Sequence, residues 1–100
     1  MAIIYHVTSK EEWEEGKRKG AYVAASLEKE GFIHCSEEHQ VKGVLERYFQ
    51  GRTGLVKLII DTTRLSSRLQ YDHSASVNES FPHIYGPINP DAVIGEEVIG

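Results

Sequence analysis

Apolar positions along this 100-residue chain recur in short segments, each with its own period. Ile3 to Val7 is rich in β-branched and aromatic residues and predicts a first strand. Ser9 stands three residues before Glu12, the spacing of a capping box, so a helix is expected from about Lys10 to Lys19. Gly20 ends it. Trp13 is its only large apolar side chain, which puts the helix on the surface. Ala21 to Leu27 has no clear period and reads as a brief strand or a loop. Gly31 to Cys35 predicts a second strand. Ser36 then has the character of an N-cap, with Glu37 and Glu38 in a first turn where carboxylates complement the helix dipole. Val41, Val44, Leu45, Tyr48 and Phe49 follow the i, i+3, i+4, i+7, i+8 pattern of an amphipathic helix that Gly51 stops.

Leu55 to Ile60 is almost continuously apolar, as a central strand covered on both faces would be. The amphipathic helix is expected to pack on it through Val56, Leu58 and Ile60. Asp61 to Ser80 reads as polar and irregular, with one short strand near Leu69 to Asp72. Pro82, Pro87 and Pro90 punctuate the next segment, and the aromatic–proline pair Phe81-Pro82 favours a cis bond. Ala92 to Ile99 supplies the last strand. Two early helices and five or six strands predict a single α+β domain over residues 1–100, built on a small split, mixed or antiparallel sheet.

Charge narrows the function classes. A formal net charge of −4 provides no basic field for sequence-independent nucleic-acid binding. The cluster Lys17-Arg18-Lys19 reads as a solvated helix end. The single cysteine, Cys35, precludes an internal disulfide and suits a reducing compartment. No apolar run approaches the roughly 20 residues that cross a bilayer, and the N-terminus lacks the features of a signal peptide. The expectation is a cytoplasmic protein with no membrane partner.

The chemistry lies in histidines. Strand alternation puts Phe32, His34 and Ser36 on one face, and likewise Phe81, His83 and Tyr85. If these faces converge with His6, they line a cleft with imidazoles, hydroxyls and aromatic rings, suited to a small or nucleotide-like ligand. His6, beside two isoleucines, reads equally as a core group. His34 runs into a helix start with Ser36 beside it, where backbone donors and a hydroxyl meet. His39 and His73 read as solvent-facing, and Cys35 as a core residue opposite His34. No pair of ligand-type residues has zinc-motif spacing, so no metal is expected. Nor is there a nucleophile elbow, a Walker loop or a Rossmann glycine loop.

The runs Tyr5-His6-Val7-Thr8, Glu30-Gly31-Phe32-Ile33-His34-Cys35-Ser36 and Phe81-Pro82-His83-Ile84-Tyr85-Gly86-Pro87-Ile88 resemble a bacterial family, domain of unknown function 952. The likeness covers almost the whole chain and includes Trp13, Ser26-Leu27 and Tyr48-Phe49. That family in turn looks like a compact relative of the ADP-ribosyltransferases, including the RNA 2′-phosphotransferases. There a Tyr-His-Gly-Thr strand precedes a His-Val-His-Leu-Ser strand.

This resemblance implies an ADP-ribosyltransferase-like sheet and a transferase acting on NAD or a ribose 2′-phosphate. NAD would be the cofactor, and a nucleotide or an RNA bearing a 2′-phosphate the partner. His6 would orient a ribose, while His34 and His83 would bind phosphate or move protons, as imidazole does near neutrality. Tyr5, Thr8, Ser36 and Tyr85 would complete the ligand site. Two departures stand out. Val7 replaces the motif glycine, and His83 stands where the superfamily often has a glutamate, a role for which Asp72 or Glu79 would have to substitute. The alternatives are a non-catalytic ligand-binding module that keeps the pocket, or a structural interaction domain.

Overall fold

A computed structural model describes residues 2–99 of the chain. In chain order its elements are β1 (Ile3–Ser9), α1 (Lys10–Lys19), α2 (Ala25–Glu30), β2 (Ile33–His34), α3 (Glu38–Tyr48), β3 (Leu55–Asp61), β4 (Arg68–Ser74), β5 (Glu79–Tyr85) and β6 (Val93–Ile99). Short 3-10 turns sit at Thr62–Arg64 and Pro90–Ala92. The strands form two three-stranded sheets, β1-β3-β6 and β2-β5-β4, in which every pairing is antiparallel. The architecture is α+β, antiparallel rather than mixed, with three α-helices where the sequence predicts two. None of these helices is long and apolar enough to cross a membrane.

The first helix starts and stops where its caps dictate. Ser9 Oγ accepts from the Glu12 N–H at 3.1 Å and donates to the Glu12 carboxylate at 2.9 Å. Gly20 closes the helix in the left-handed region, at φ +81°. Trp13 is buried, and its Nε1–H donates to Glu96 Oε2 at 2.6 Å, pinning a solvated helix to β6. Gly16 lets the helix approach the next segment: a Cβ there would lie 2.8 Å from Tyr22 Cβ.

Four expectations are corrected. The segment read as a brief strand or loop contains α2, whose six residues bury none of their side chains and so show no apolar period. Ser36 is not a helix cap. It joins the two sheets instead, exchanging backbone hydrogen bonds with Tyr5 at 2.8 and 2.7 Å. Glu37 takes the cap position, and Gln40 accepts from its N–H at 2.9 Å. The stretch expected to be irregular apart from a short strand near Leu69 to Asp72 holds that strand, lengthened to β4, and the start of β5, paired from Arg68↔Tyr85 to Ser74↔Glu79. The Phe81–Pro82 bond is trans.

Alternation along β3 also redistributes the core. Val56, Leu58 and Ile60 face a cluster with Ile4, Trp13, Tyr22, Ile33 and Ile84, away from α3. The helix α3 instead packs through Val41 on Val7 and Leu55, with Tyr5, Leu45 and Phe49 half-buried around them. Tyr48 is exposed. The apolar stripe of the helix is real, but it meets the other face of the strand.

Candidate functional site

A cleft of about 600 Å³ opens between the two sheets and the helices. Its floor is His6 and Val7 from β1, with Cys35 and Ser36 beyond β2. One wall is polar, with Ser26 and Glu30 from α2 beside His34. The opposite wall comes from the end of α3 and is apolar and aromatic: Val44, Tyr48 and Phe49. The β4–β5 hairpin adds His73, Ser74, Phe81 and His83.

His34 and His83 are direct partners across the β2–β5 pairing. Their ring centroids lie 5.1 Å apart with planes at 80°. Each imidazole rests on a carboxylate. His34 Nε2 is 2.9 Å from Glu30 Oε2, and His83 Nδ1 is 2.7 Å from Asp72 Oδ2. Carboxylates only accept, so those two nitrogens carry hydrogens, and His34 Nδ1 and His83 Nε2 are left for a ligand. Phe32 stacks on the His83 ring at 4.1 Å and meets His34 edge-on, fixing the pair from outside.

Asp72 is itself held from three sides. The Tyr85 hydroxyl and the Gln70 amide donate to it alongside His83, and together they pull its carboxyl down to about 2. Asp72 therefore stays ionised and fixes the orientation of His83.

His6 is placed differently. Its Nδ1 lies 2.5 Å from the His34 carbonyl oxygen and its Nε2 2.8 Å from the Tyr22 hydroxyl, inside the protein. Burial pushes it down to about 4, so the ring is neutral at pH 7. A carbonyl can only accept, which puts the single hydrogen on Nδ1. Nε2 then accepts from the Tyr22 hydroxyl, which burial keeps protonated. The Thr8 hydroxyl lies 2.9 Å from Tyr22 Oη and 3.4 Å from Glu12 Oε1. This chain ties β1 to the backbone of the residue that carries the His34 ring.

Of the residues singled out from sequence, His6, His34, Ser36 and His83 line the cleft. Tyr5, Thr8 and Tyr85 are not among its lining residues. Tyr5 bridges to Ser36 and lies under the Lys57 ammonium, Thr8 bonds Tyr22, and Tyr85 bonds Asp72. Asp72 reaches the site through His83. Glu79 is turned to Gln40 and His39 instead. Cys35 is buried in the core, and burial pushes its thiol up, toward the protonated form. Sequence reading missed Glu30, Tyr22, Gln70 and the aromatic wall. Glu30 had one signal, its position four residues before His34. Among the described residues no group of His, Cys, Asp and Glu side chains is placed to hold a metal.

A family described as "Protein of unknown function (DUF952)" matches residues 7–96. The crystal structure of protein CC0527 from Caulobacter crescentus is similar at 29% identity and TM-score 0.90, over 99% of this chain and 87% of that one. The solution NMR structure of CC0527 gives 30% identity and TM-score 0.83, over 99% and 85%. No curated protein matches the chain. With nine-tenths of its length matched, the chain belongs to the DUF952 family.

Proposed function

We propose that the cleft is an active site for acid–base chemistry on a nucleotide-like ligand, and that the protein is a cytoplasmic transferase of the kind that acts on NAD or a ribose 2′-phosphate. The observation that carries this reading is the His34–His83 pair, two imidazoles 5.1 Å apart on separate carboxylates. Each can take a proton at its remaining nitrogen or, carrying one, give it up. Two such groups on one substrate are the requirement for a reaction that needs both a base and an acid.

The rest of the cleft suits the same ligand class. Its volume matches that of a small-molecule site, and the wall of Tyr48, Phe49 and Phe81 offers flat apolar surface to a heteroaromatic ring. Ser26, Ser36 and Glu30 offer partners for sugar hydroxyls. The motif likeness to ADP-ribosyltransferases supports NAD as the cofactor and a related sheet as the scaffold. In this reading His6 acts through the His34 backbone, because both its nitrogens are already engaged. Glu30 takes the role of the missing superfamily glutamate, as the one carboxylate among the lining residues. The buried thiol of Cys35 suits the reducing cytoplasm.

A binding module without turnover is the second reading. It is favoured by one fact: no lysine or arginine lines the cleft to offset charge developing in a reaction. Both readings are tested by an NMR titration with NAD, ADP-ribose, mononucleotides and a 2′-phosphorylated oligoribonucleotide, followed by chromatography of the mixtures. Shifts at His34 and His83 together with nicotinamide release or phosphate transfer are the expected result. Shifts without conversion leave the binding module. Absence of shifts around the two histidines overturns both.

A further inference from the structure

The histidine pair belongs to a larger surface. The sheet β2-β5-β4 buries Ile33, Ile84 and Leu69 on one side. Its other side carries His34 on β2, His83 and Tyr85 on β5, and Arg68, Gln70 and Asp72 on β4. That these share a face is shown by their contacts: Asp72 bonds both His83 and Tyr85, and the Arg68 guanidinium sits 4.7 Å from the centre of the Tyr85 ring.

Arg68 is therefore a cation one cross-strand pair beyond His83 on this face, while the cleft has none among its lining residues. It stands opposite Tyr85, as Gln70 stands opposite His83, two residues further along each strand. That offset is about 7 Å along the strand direction. No carboxylate of the described residues pairs with Arg68, and Asp72, on the same face of its own strand, is already taken by Tyr85, Gln70 and His83. Stacking on Tyr85 holds the guanidinium in place while leaving its N–H fork unpaired.

We infer that Arg68 forms the anion-binding end of the site and selects a ligand whose sugar carries a phosphate monoester beside the histidine pair. The guanidinium fork matches phosphate oxygens two at a time, and the neutral cleft accepts the remainder of the ligand. This rests on the nucleotide-directed function proposed for the cleft and adds to it which charge the ligand bears, and where.

The test is an NMR titration of the protein with adenosine, its 2′- and 5′-monophosphates, and inorganic phosphate. It is repeated on Arg68→Ala, on Arg68→Gln, which keeps the packing stem, and on Arg52→Ala as a control. Arg52 stacks on Phe49 at the opposite wall. The wild type should bind at least one monophosphate about tenfold more tightly than adenosine or inorganic phosphate, in line with one charge-assisted fork. Both Arg68 variants should lose that preference and keep adenosine affinity, while Arg52→Ala keeps both. Equal binding of adenosine and both monophosphates by the wild type, inorganic phosphate binding as tightly as they do, or a preference that survives in both Arg68 variants overturns the assignment and leaves the nucleotide-directed reading standing. Binding of none of the four overturns the two together.

Discussion

His34 and His83 face one another across a single backbone pairing, yet each is oriented by a carboxylate from a different element, Glu30 of α2 and Asp72 of β4. The pairing fixes their separation and the carboxylates fix which nitrogen each ring presents. A neutral His83 should thus carry its hydrogen on Nδ1, and a neutral His34 on Nε2. Long-range nitrogen–proton NMR of the imidazoles reads both directly. Asp72→Asn should return His83 to a mixture of tautomers while His34 is unchanged. A pure Nε2–H form of His83 in the wild type would contradict the arrangement.

Acid should weaken the protein in two stages. The unfolded His6 titrates at 6.5, and burial lowers it to about 4 in the fold, so between these values the unfolded chain binds the extra proton and stability falls as pH falls. The full loss is of order 3 kcal/mol, since each unit is worth about 1.4 kcal/mol. Asp72 acts lower down. Its folded value of about 2 lies below the ordinary 3.8, so the stability it contributes is present above pH 3.8 and is lost as pH falls through about 2. Urea unfolding at pH 7, 5.5 and 4.5 should show the first stage, and His6→Gln should flatten it. A wild type with constant stability over that range would show that His6 is not held neutral.

Gly16→Ala should destabilise although alanine is the better helix former. Its Cβ would sit 2.8 Å from Tyr22 Cβ and 2.9 Å from Tyr22 Cα, and backbone cannot swing aside as a side-chain tip can. Overpacking of this kind costs about 1–3 kcal/mol against a helix gain of up to about 1 kcal/mol. Urea midpoints measure the balance, and a stabilised variant would mean that α1 does not lie against the Tyr22 segment this closely.

The two core clusters give a comparison. Leu58 is fully buried and Leu45 only half-buried at the edge of the α3 cluster. Leu58→Ala should cost about 2–5 kcal/mol and Leu45→Ala clearly less, both by urea unfolding. An equal cost would place α3 over the face of β3 that carries Leu58.

These residues also show what could be read from sequence. The first helix was legible because its signals are local: Ser9, Glu12 and Gly20 act on backbone within a turn of themselves. Strand β3 was legible because its apolar run exceeds what a surface segment carries. Which side of it meets α3 was not, since both faces carry large apolar residues and only the tertiary fold chooses between Leu55 and Leu58. The hairpin was legible only in part, as a short strand near Leu69 to Asp72 and an alternating segment around His83, for the opposite reason. Only Leu69 of β4 reaches the core, so β4 is held by backbone pairing with β5 and by polar contacts that leave no period. The same holds for the site. The histidines stood out by their contexts, but Asp72 pairs with His83 through strand register, which cannot be counted off along a chain, and the four-residue spacing of Glu30 and His34 gains meaning only once a helix end is placed between them.

The sharpest separation of site from scaffold is between two histidines that share a cleft. The His34 ring is about half exposed, with 53% of its side chain accessible, and its side-chain hydrogen bond goes to the Glu30 carboxylate at the surface. Surface pairs of this kind contribute about 0–1 kcal/mol, so His34→Ala should melt close to the wild type. It should nevertheless lose the ligand found by titration, because it removes one of the two imidazoles offered to that ligand. His6→Ala should do the reverse in energetic terms. It strips the partner from the His34 carbonyl, a loss of roughly 1–3 kcal/mol, and leaves the buried Tyr22 hydroxyl with Thr8 alone. Thermal melts with and without ligand compare the two variants directly. A His34→Ala protein that is strongly destabilised and still binds normally would make His34 a structural group, and the pair with His83 would lose its claim to chemistry.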